Sequence, residues 1–138
     1  ATPKAYRPSA QIVQHVKDLA KASESVIEEF DCPEDAVRGA DAVYTDVWIS
    51  MGEEKLIAQK KEKFRDFQVN SKHLKHANPG ALVMHCLPAH RGEEITDEVL
   101  ESKQSIVFDQ AENRLHVQKA ILLKLIGDDQ KIKVVSSK

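Results

Sequence analysis

The hydrophobic and polar residues of this chain alternate between helix-like and strand-like patterns along most of its length. After Ser9, apolar residues recur at the helical period from Ile12 to Ala20, and Ser9 itself is suited to cap that helix. Residues 25–30, SVIEEF, have the residue types of a short strand. The first thirty residues therefore predict a helix followed by a strand.

The same alternation continues toward the carboxyl terminus. Pro33 suits a first helical turn, the apolar run 81–85 is typical of a strand buried on both faces, and Thr96 suits a helix cap. Asp109 with Glu112 three residues later resembles a capping box. The predicted elements after residue 30 are helix 32–38, strand 42–45, helix 53–64, helix 71–77, strand 81–85, a helix from Thr96, strand 105–108 and helix 109–127.

Repeated strand–helix alternation predicts an α/β fold with three layers, in which helices cover both faces of a mostly parallel, Rossmann-like sheet. The opening ATPK resembles a loop that follows a strand, so we expect this fold to lack its first strand–helix unit. Residues 1–127 are predicted to form one domain that is incomplete at its amino terminus. Residues 128–138 are predicted to be a polar tail.

Composition narrows the class of protein. The 138 residues are 41% hydrophobic and 30% charged with a net charge of −2, which is typical of a soluble globular domain. Basic residues are dispersed among acidic ones, so no nucleic-acid partner is expected. No apolar run approaches the ~20 residues needed to cross a bilayer, so we expect a cytoplasmic protein without a membrane partner.

Ligands of open parallel sheets bind at the carboxyl ends of the strands, and three polar segments follow predicted strands here. Asp46 follows the strand 42–45, with Ser50 four residues on; a carboxylate and a hydroxyl so placed suit a substrate ammonium group. A turn or cap role for Asp46 remains the alternative. Trp48 and Met51 are expected as core or pocket wall.

The second segment, HCLPAHRG at 85–92, raises the question of what its cysteine does. Cys86 could be a small buried hydrophobe, or a thiolate stabilised by His85, His90 and Arg91 that acts as a base. A zinc site is disfavoured, because adjacent residues on a strand point to opposite faces. Cys32 is too distant in sequence to form a metal or redox motif with Cys86, and no cofactor is expected.

The third segment contains Arg114, which is predicted near the start of the last helix. A cation there opposes the helix dipole unless an anion lies between them, an arrangement that binds phosphate. An exposed arginine paired with Glu112 or Asp109 is the alternative. The remaining histidines in helical segments, His73 among them, are expected at the surface or at an interface.

Taken together, DVWISMGE at 46–53, HCLPAHRG at 85–92 and FDQAENR at 108–114 resemble the carboxyl-terminal, ornithine-binding half of ornithine carbamoyltransferase. The resemblance covers residues 1 to about 127. It implies transfer of the carbamoyl group of carbamoyl phosphate to the δ-amine of L-ornithine, giving citrulline and phosphate.

The resemblance also implies roles for individual residues. Asp46 and Ser50 would hold the amino-acid end of ornithine, with a backbone contact from Met51. Cys86 would be the catalytic proton acceptor, and it would contact the carbamoyl phosphate side of the site together with Leu87 and Arg114. The family's amino-terminal carbamoyl-phosphate domain is absent from this sequence, so we expect the chain alone to be inactive. In the full-length parent a homotrimer, or a multiple of trimers, is expected.

The sequence alone leaves two other functions open. The chain could belong to a carbamoyltransferase for another amine, such as putrescine or acetylornithine, although Asp46 and Ser50 suit the free α-amino group of ornithine. It could also be a non-catalytic binding or assembly module.

Overall fold

The computed structural model describes residues 1–49 and 57–126, with the backbone alone described at residue 57. These residues form an α/β unit around a parallel pair of strands. The elements are α1 (Ala10–Ala22), α2 (Pro33–Val37), β1 (Ala42–Thr45), α3 (Ile57–Phe64), α4 (Ser71–Leu74), β2 (Leu82–His85), α5 (Asp97–Leu100) and α6 (Val107–Ile126), with short 3₁₀ turns at Lys4–Tyr6 and Arg65–Phe67.

The two strands pair in register, so that residue 42 lies beside 82 and residue 45 beside 85. A third segment adds to β2 without forming a full strand: the Val83 N–H donates to Gln104 O, and the Ile106 N–H donates to Val83 O. A further parallel bridge joins Val69 to Ile95. The expected parallel α/β fold is therefore confirmed.

The core lies on one face of the strands. Its buried apolar side chains come from both strands, from α5, from the start of α6 and from the bridging segments: Val43, Val69, Val83, Ile95, Val99, Leu100 and Val107. The opposite face is open among the described residues, with Tyr44 exposed and Leu82 41% exposed. The prediction that the second strand is buried on both faces is therefore wrong for this unit.

Several predicted boundaries are confirmed. Ser9 caps α1 by accepting a hydrogen bond from the Ile12 N–H, and Thr96 caps α5 by accepting one from the Val99 N–H. Pro33 lies in the first turn of α2, where its missing N–H costs no helical hydrogen bond. The helix predicted at 71–77 is shorter and ends at Leu74. The start of the helix predicted at 53–64 lies outside the described residues.

Two predicted strands do not form. Residues 25–30 have no ladder partner among the described residues and leave Val26 79% exposed. At 105–108 only Ser105 pairs with a strand, because α6 begins at Val107. The last helix therefore starts two residues before the predicted Asp109.

Candidate functional site

The carboxyl ends of β1 and β2 bring two of the predicted site residues together. Because the strands are parallel and in register, the residues that follow them, Asp46 and Cys86, leave the sheet at the same edge. The Cys86 thiol donates a hydrogen bond to Asp46 Oδ1 at 2.9 Å. Two segments forty residues apart in sequence thus form one polar contact at the rim.

The thiol is exposed at this edge, so Cys86 is not the buried hydrophobe that was one alternative. Partial burial, followed by the hydrogen bond to Asp46 and the negative charge of that carboxylate, raises the pKa of the Cys86 thiol. A hydrogen bond from the Tyr44 hydroxyl acts in the opposite direction on this pKa. In this state Cys86 is a neutral thiol that donates a hydrogen bond to the Asp46 carboxylate.

The cations expected to stabilise a thiolate are engaged elsewhere. Arg91 forms ion pairs with Asp97 and Glu101, and the buried His85 ring lies against Glu94. The alternative in which these groups stabilise a Cys86 thiolate therefore does not match the described contacts. The nearest charge is the carboxylate of Asp46, which favours the protonated thiol.

Behind the rim, His85 and Glu94 form a fully buried pair. His85 Nε2 lies 3.1 Å from Glu94 Oε1, and His85 Nδ1 accepts a hydrogen bond from the Leu87 N–H at 2.8 Å. Glu94 Oε1 also accepts the His90 N–H at 2.6 Å. One buried carboxylate thus connects both ends of the loop 86–89.

Leu87 occupies an unusual backbone conformation for a branched side chain. Its φ of 55° places it in the left-handed region, and a cis peptide bond follows to Pro88. Its side chain is half-buried and packs against the core. The loop therefore directs the Cys86 side chain outward while Leu87 anchors it to the interior.

The first turn of α6 also contributes to the site. Gln110 accepts a hydrogen bond from the His85 N–H at 3.1 Å and donates one to the Tyr44 hydroxyl at 3.4 Å. Arg114 lies one helical turn beyond Gln110, on the same side of the helix, and is exposed. It makes no ion pair with the residues that the structure describes.

The observed start of α6 places Arg114 outside the first turn of the helix. Since α6 begins at Val107, Arg114 is at its eighth position, beyond the first turn where the dipole acts strongly. The expected pairing with Glu112 is also not found, because Glu112 contacts His116 instead. What remains of the prediction is an exposed arginine one helical turn beyond Gln110.

The other two predicted site residues, Ser50 and Met51, lie outside the described residues. Trp48, which precedes them, lies near Phe64 at the end of α3, with 6.1 Å between ring centroids. Phe64 in turn packs against Tyr6 and Phe67. Trp48, two residues after Asp46, is therefore part of an aromatic cluster, in line with its expected role as core or pocket wall.

Metal binding has no support within residues 1–49 and 57–126, where no group of three or more potential ligands is arranged around a common point. No helix in those ranges is both long and apolar enough to cross a bilayer.

The sequence patterns missed three residues of this site: Glu94, Gln110 and Tyr44. Glu94 is part of an ordinary acidic pair in the sequence, and only the fold buries it under His85. Gln110 lies within the FDQAENR motif, but its hydrogen bonds depend on a helix that begins two residues before the predicted start. Tyr44 was expected only as a strand residue.

The structure thus defines an α/β domain with a thiol and a carboxylate at the carboxyl ends of adjacent parallel strands. Residues 1–125 match a family described as aspartate/ornithine carbamoyltransferase, Asp/Orn binding domain. The chain belongs to this family, and the resemblance seen in its motifs is confirmed.

Individual relatives agree with the family match. The ornithine carbamoyltransferase of Methanoculleus marisnigri is 53% identical over 127 residues, which are 92% of this chain and 40% of the relative. The solved ornithine carbamoyltransferase of Pyrococcus furiosus superposes with a TM-score of 0.82 at 50% identity, over 89% of this chain and 39% of that chain.

A second solved relative is the anabolic ornithine carbamoyltransferase of Campylobacter jejuni, with a TM-score of 0.84 at 38% identity, over 91% of this chain and 41% of that chain. In each comparison the chain spans about 40% of the length of the relative that it matches.

Proposed function

We propose that this chain is the ornithine-binding part of a carbamoyltransferase that converts carbamoyl phosphate and L-ornithine to citrulline and phosphate. The observation that supports this most directly is the contact between Cys86 and Asp46 at the shared edge of β1 and β2. It lies within two motifs typical of the family whose sequence model matches residues 1–125.

Asp46 would hold the α-ammonium group of ornithine. One of its oxygens accepts from the Cys86 thiol and from the Val47 N–H, and the carboxylate is exposed and available for a cation. Ser50 and the Met51 backbone, which follow in the same motif, would complete the contacts to the amino-acid end.

Cys86 would accept the proton that the δ-amine must lose before it attacks the carbamoyl carbon. An alkyl ammonium has a pKa near ~10.4, so at neutral pH the amine is a poor nucleophile without a nearby base. In the free chain, Asp46 favours the neutral thiol. An ornithine ammonium on Asp46 would offset that negative charge and favour the thiolate, so substrate binding itself would prepare the base.

Leu87 and Arg114 would contact carbamoyl phosphate. The exposed guanidinium of Arg114, unpaired with any described residue, suits a phosphate group. The remaining phosphate ligands would come from an amino-terminal carbamoyl-phosphate domain, and the full-length protein would be a cytoplasmic homotrimer or a multiple of trimers.

Steady-state assay of a full-length protein that carries these residues tests the proposal. We expect citrulline formation with ornithine, and kcat/KM for ornithine at least about 100-fold above that for putrescine or N-acetylornithine, because only ornithine has the free α-ammonium and the carboxylate for this site. A preference for either of the other amines would refute ornithine as the substrate. Absence of carbamoyl transfer to all three amines would refute the enzyme assignment.

A further inference from the structure

The loop between Cys86 and His90 is attached to the interior of the domain by backbone hydrogen bonds, in addition to the packing of the Leu87 side chain. The N–H of His85, before the loop, donates to Gln110 Oε1. The N–H of Leu87 donates to the His85 ring, and the N–H of His90 donates to Glu94 Oε1. Cys86 therefore lies between two fixed backbone N–H groups.

The His85 ring is held in one tautomer by its neighbours. Because Nδ1 accepts the Leu87 N–H, the ring hydrogen is on Nε2, which donates to Glu94 Oε1 at 3.1 Å. His85 and Glu94 side chains have no exposed surface, so water cannot replace either partner. Rotation of the ring would break both hydrogen bonds at once.

We propose that His85, held by Glu94, is a positioning residue for the carbamoyl-transfer step: its imidazole fixes the Leu87 backbone and so keeps the Cys86 sulfur against Asp46. The inference rests on the proposed function and assigns a role to a side chain that touches neither substrate. A loop held in this way places the sulfur before ornithine arrives. Displacement by about 1 Å at such a site costs about 100-fold in rate.

Two substitutions distinguish the role of His85 Nδ1 from that of His85 Nε2. His85→Asn keeps an acceptor near the Nδ1 position for the Leu87 N–H but does not reach Glu94. His85→Gln keeps a donor near the Nε2 position for Glu94 but loses the acceptor for Leu87. In the full-length protein we expect His85→Gln to lower kcat by about 10- to 100-fold with the ornithine KM within about threefold of wild type. His85→Asn is expected to retain more of kcat than His85→Gln.

A second readout reports the position of the sulfur without relying on turnover. The rate of alkylation of Cys86 by iodoacetamide is measured against pH, with Cys32 followed separately by peptide mass spectrometry. In His85→Gln the sulfur should leave Asp46, so the alkylation pKa should fall toward that of an ordinary thiol. A purely structural histidine would lower the melting temperature and leave this profile unchanged in the folded protein.

Arg91→Gln is the matched control, because Arg91 lies directly after this loop but pairs outward with Asp97 and Glu101. It should leave both kcat and the alkylation profile at their wild-type values. If the His85 variants do not fold, Glu94→Gln replaces them: it keeps the side-chain volume, weakens a charge-assisted hydrogen bond and should shift the profile in the same direction.

The proposal is overturned if His85→Gln, or Glu94→Gln in its place, is folded and shows wild-type kcat and a wild-type alkylation profile. An equal loss of kcat in His85→Gln and His85→Asn would also overturn the assignment to Leu87. If the wild-type enzyme makes no citrulline, the proposed function fails, while the alkylation profiles still decide whether His85 positions Cys86.

Discussion

At the scale of single residues, the pairing of Asp46 with Cys86 determines what the thiol can do. Neighbouring cations lower the pKa of a cysteine, whereas partial burial and then the Asp46 carboxylate raise the pKa of the Cys86 thiol. The residue that would bind the substrate therefore also controls the protonation of the residue that would accept its proton. On the proposed function, one hydrogen bond would couple substrate binding to catalysis.

Asp46→Asn should lower the pKa of the Cys86 thiol. The substitution removes the negative charge that disfavours the thiolate, so more thiolate forms at any pH below the pKa and alkylation at pH 8 becomes faster. Alkylation rates between pH 6 and 10, with peptide mapping to separate Cys32, measure the shift. Asp41→Asn is the control, because Asp41 precedes β1 and pairs with Asn78 rather than with the thiol. An unchanged pKa in Asp46→Asn would contradict the coupling.

Cys86→Ser should lower kcat of the full-length enzyme by about 100-fold or more, because a serine hydroxyl is a far weaker proton acceptor than a thiolate. The limb of the pH–rate profile that reports the thiol should disappear. Cys32→Ser serves as the comparison, since Cys32 donates its hydrogen bond to Glu34 away from the rim and a hydroxyl retains that bond. A wild-type rate and profile in Cys86→Ser would reduce Cys86 to a packing residue.

At the scale of elements, short helices depend on contacts that tie them together. The helices α2 and α4 have only five and four residues, too few to be stable alone. Glu34 of α2 joins them, because it contacts His73 Nε2 of α4 at 3.3 Å and accepts a hydrogen bond from the Cys32 thiol at 2.8 Å. His73 is buried within this unit, whereas the sequence pattern suggested a surface or interface residue.

Glu34→Gln should reduce stability in a pH-dependent way. The Cys32 thiol, a backbone N–H, and the nearby His73 and Lys72 lower the pKa of Glu34 to about 2, below the ordinary value of about 4.3. A depressed carboxyl pKa stabilises the fold above the unfolded-state pKa, and that contribution is lost as the pH falls toward about 2. The melting temperature of Glu34→Gln should therefore be below wild type at pH 7, with a difference that shrinks below pH 4.

Asp35→Asn is the matched control for this prediction. Asp35 is the neighbouring acid of α2, but it pairs with Arg38 on the surface at 3.4 Å, and exposed pairs of this kind contribute little. Its melting temperature should stay close to wild type at every pH. A pH-independent difference for Glu34→Gln would show that packing, rather than the ionised carboxylate, joins the two helices.

Local signals were sufficient for part of this fold. The strand 42–45, the Pro33 helix start and the Ser9 and Thr96 caps depend on residues within one turn or one strand, so sequence patterns predicted them correctly. The strand predicted at 25–30 failed because strand formation requires a ladder partner, which residue types do not reveal. The strand predicted at 105–108 was wrong because α6 begins at Val107 and includes the apolar residues Val107 and Phe108.

The candidate site shows the same limit. The contact of Asp46 with Cys86 could be anticipated from the rule that parallel strands end at one edge. The burial of Glu94 beneath His85, nine residues away, could not be anticipated. An acidic residue after Gly92 and Glu93 has the sequence pattern of a surface turn. The charge around Cys86 could not be anticipated either. Arg91 is close in sequence but pairs with Asp97 of α5, and the His90 N–H donates to Glu94.

At the scale of the whole molecule, α6 is the feature that most needs a partner. Three of its exposed apolar residues, Leu115, Leu122 and Ile126, lie on one stripe of the helix, and they are 55%, 55% and 78% exposed. Exposed apolar surface of this extent on a helix marks an interaction site. Because the chain spans about 40% of the length of its relatives, we expect the rest of the full-length protein to cover this stripe.

Mixing this chain with a separately produced amino-terminal part should therefore restore carbamoyl transfer, and a charge within the stripe should prevent it. Leu122→Asp places a carboxylate where apolar contact is expected, and desolvating it without a partner is costly. Lys124→Asp introduces the same acid on the opposite side of α6 and should leave complementation intact. Citrulline formation on titration of one part into the other, with sedimentation to count complexes, measures both effects. Equal complementation by Leu122→Asp and the wild-type chain would show that the stripe is not the contact surface. The two parts would then bind through another face, such as the open side of β1 and β2.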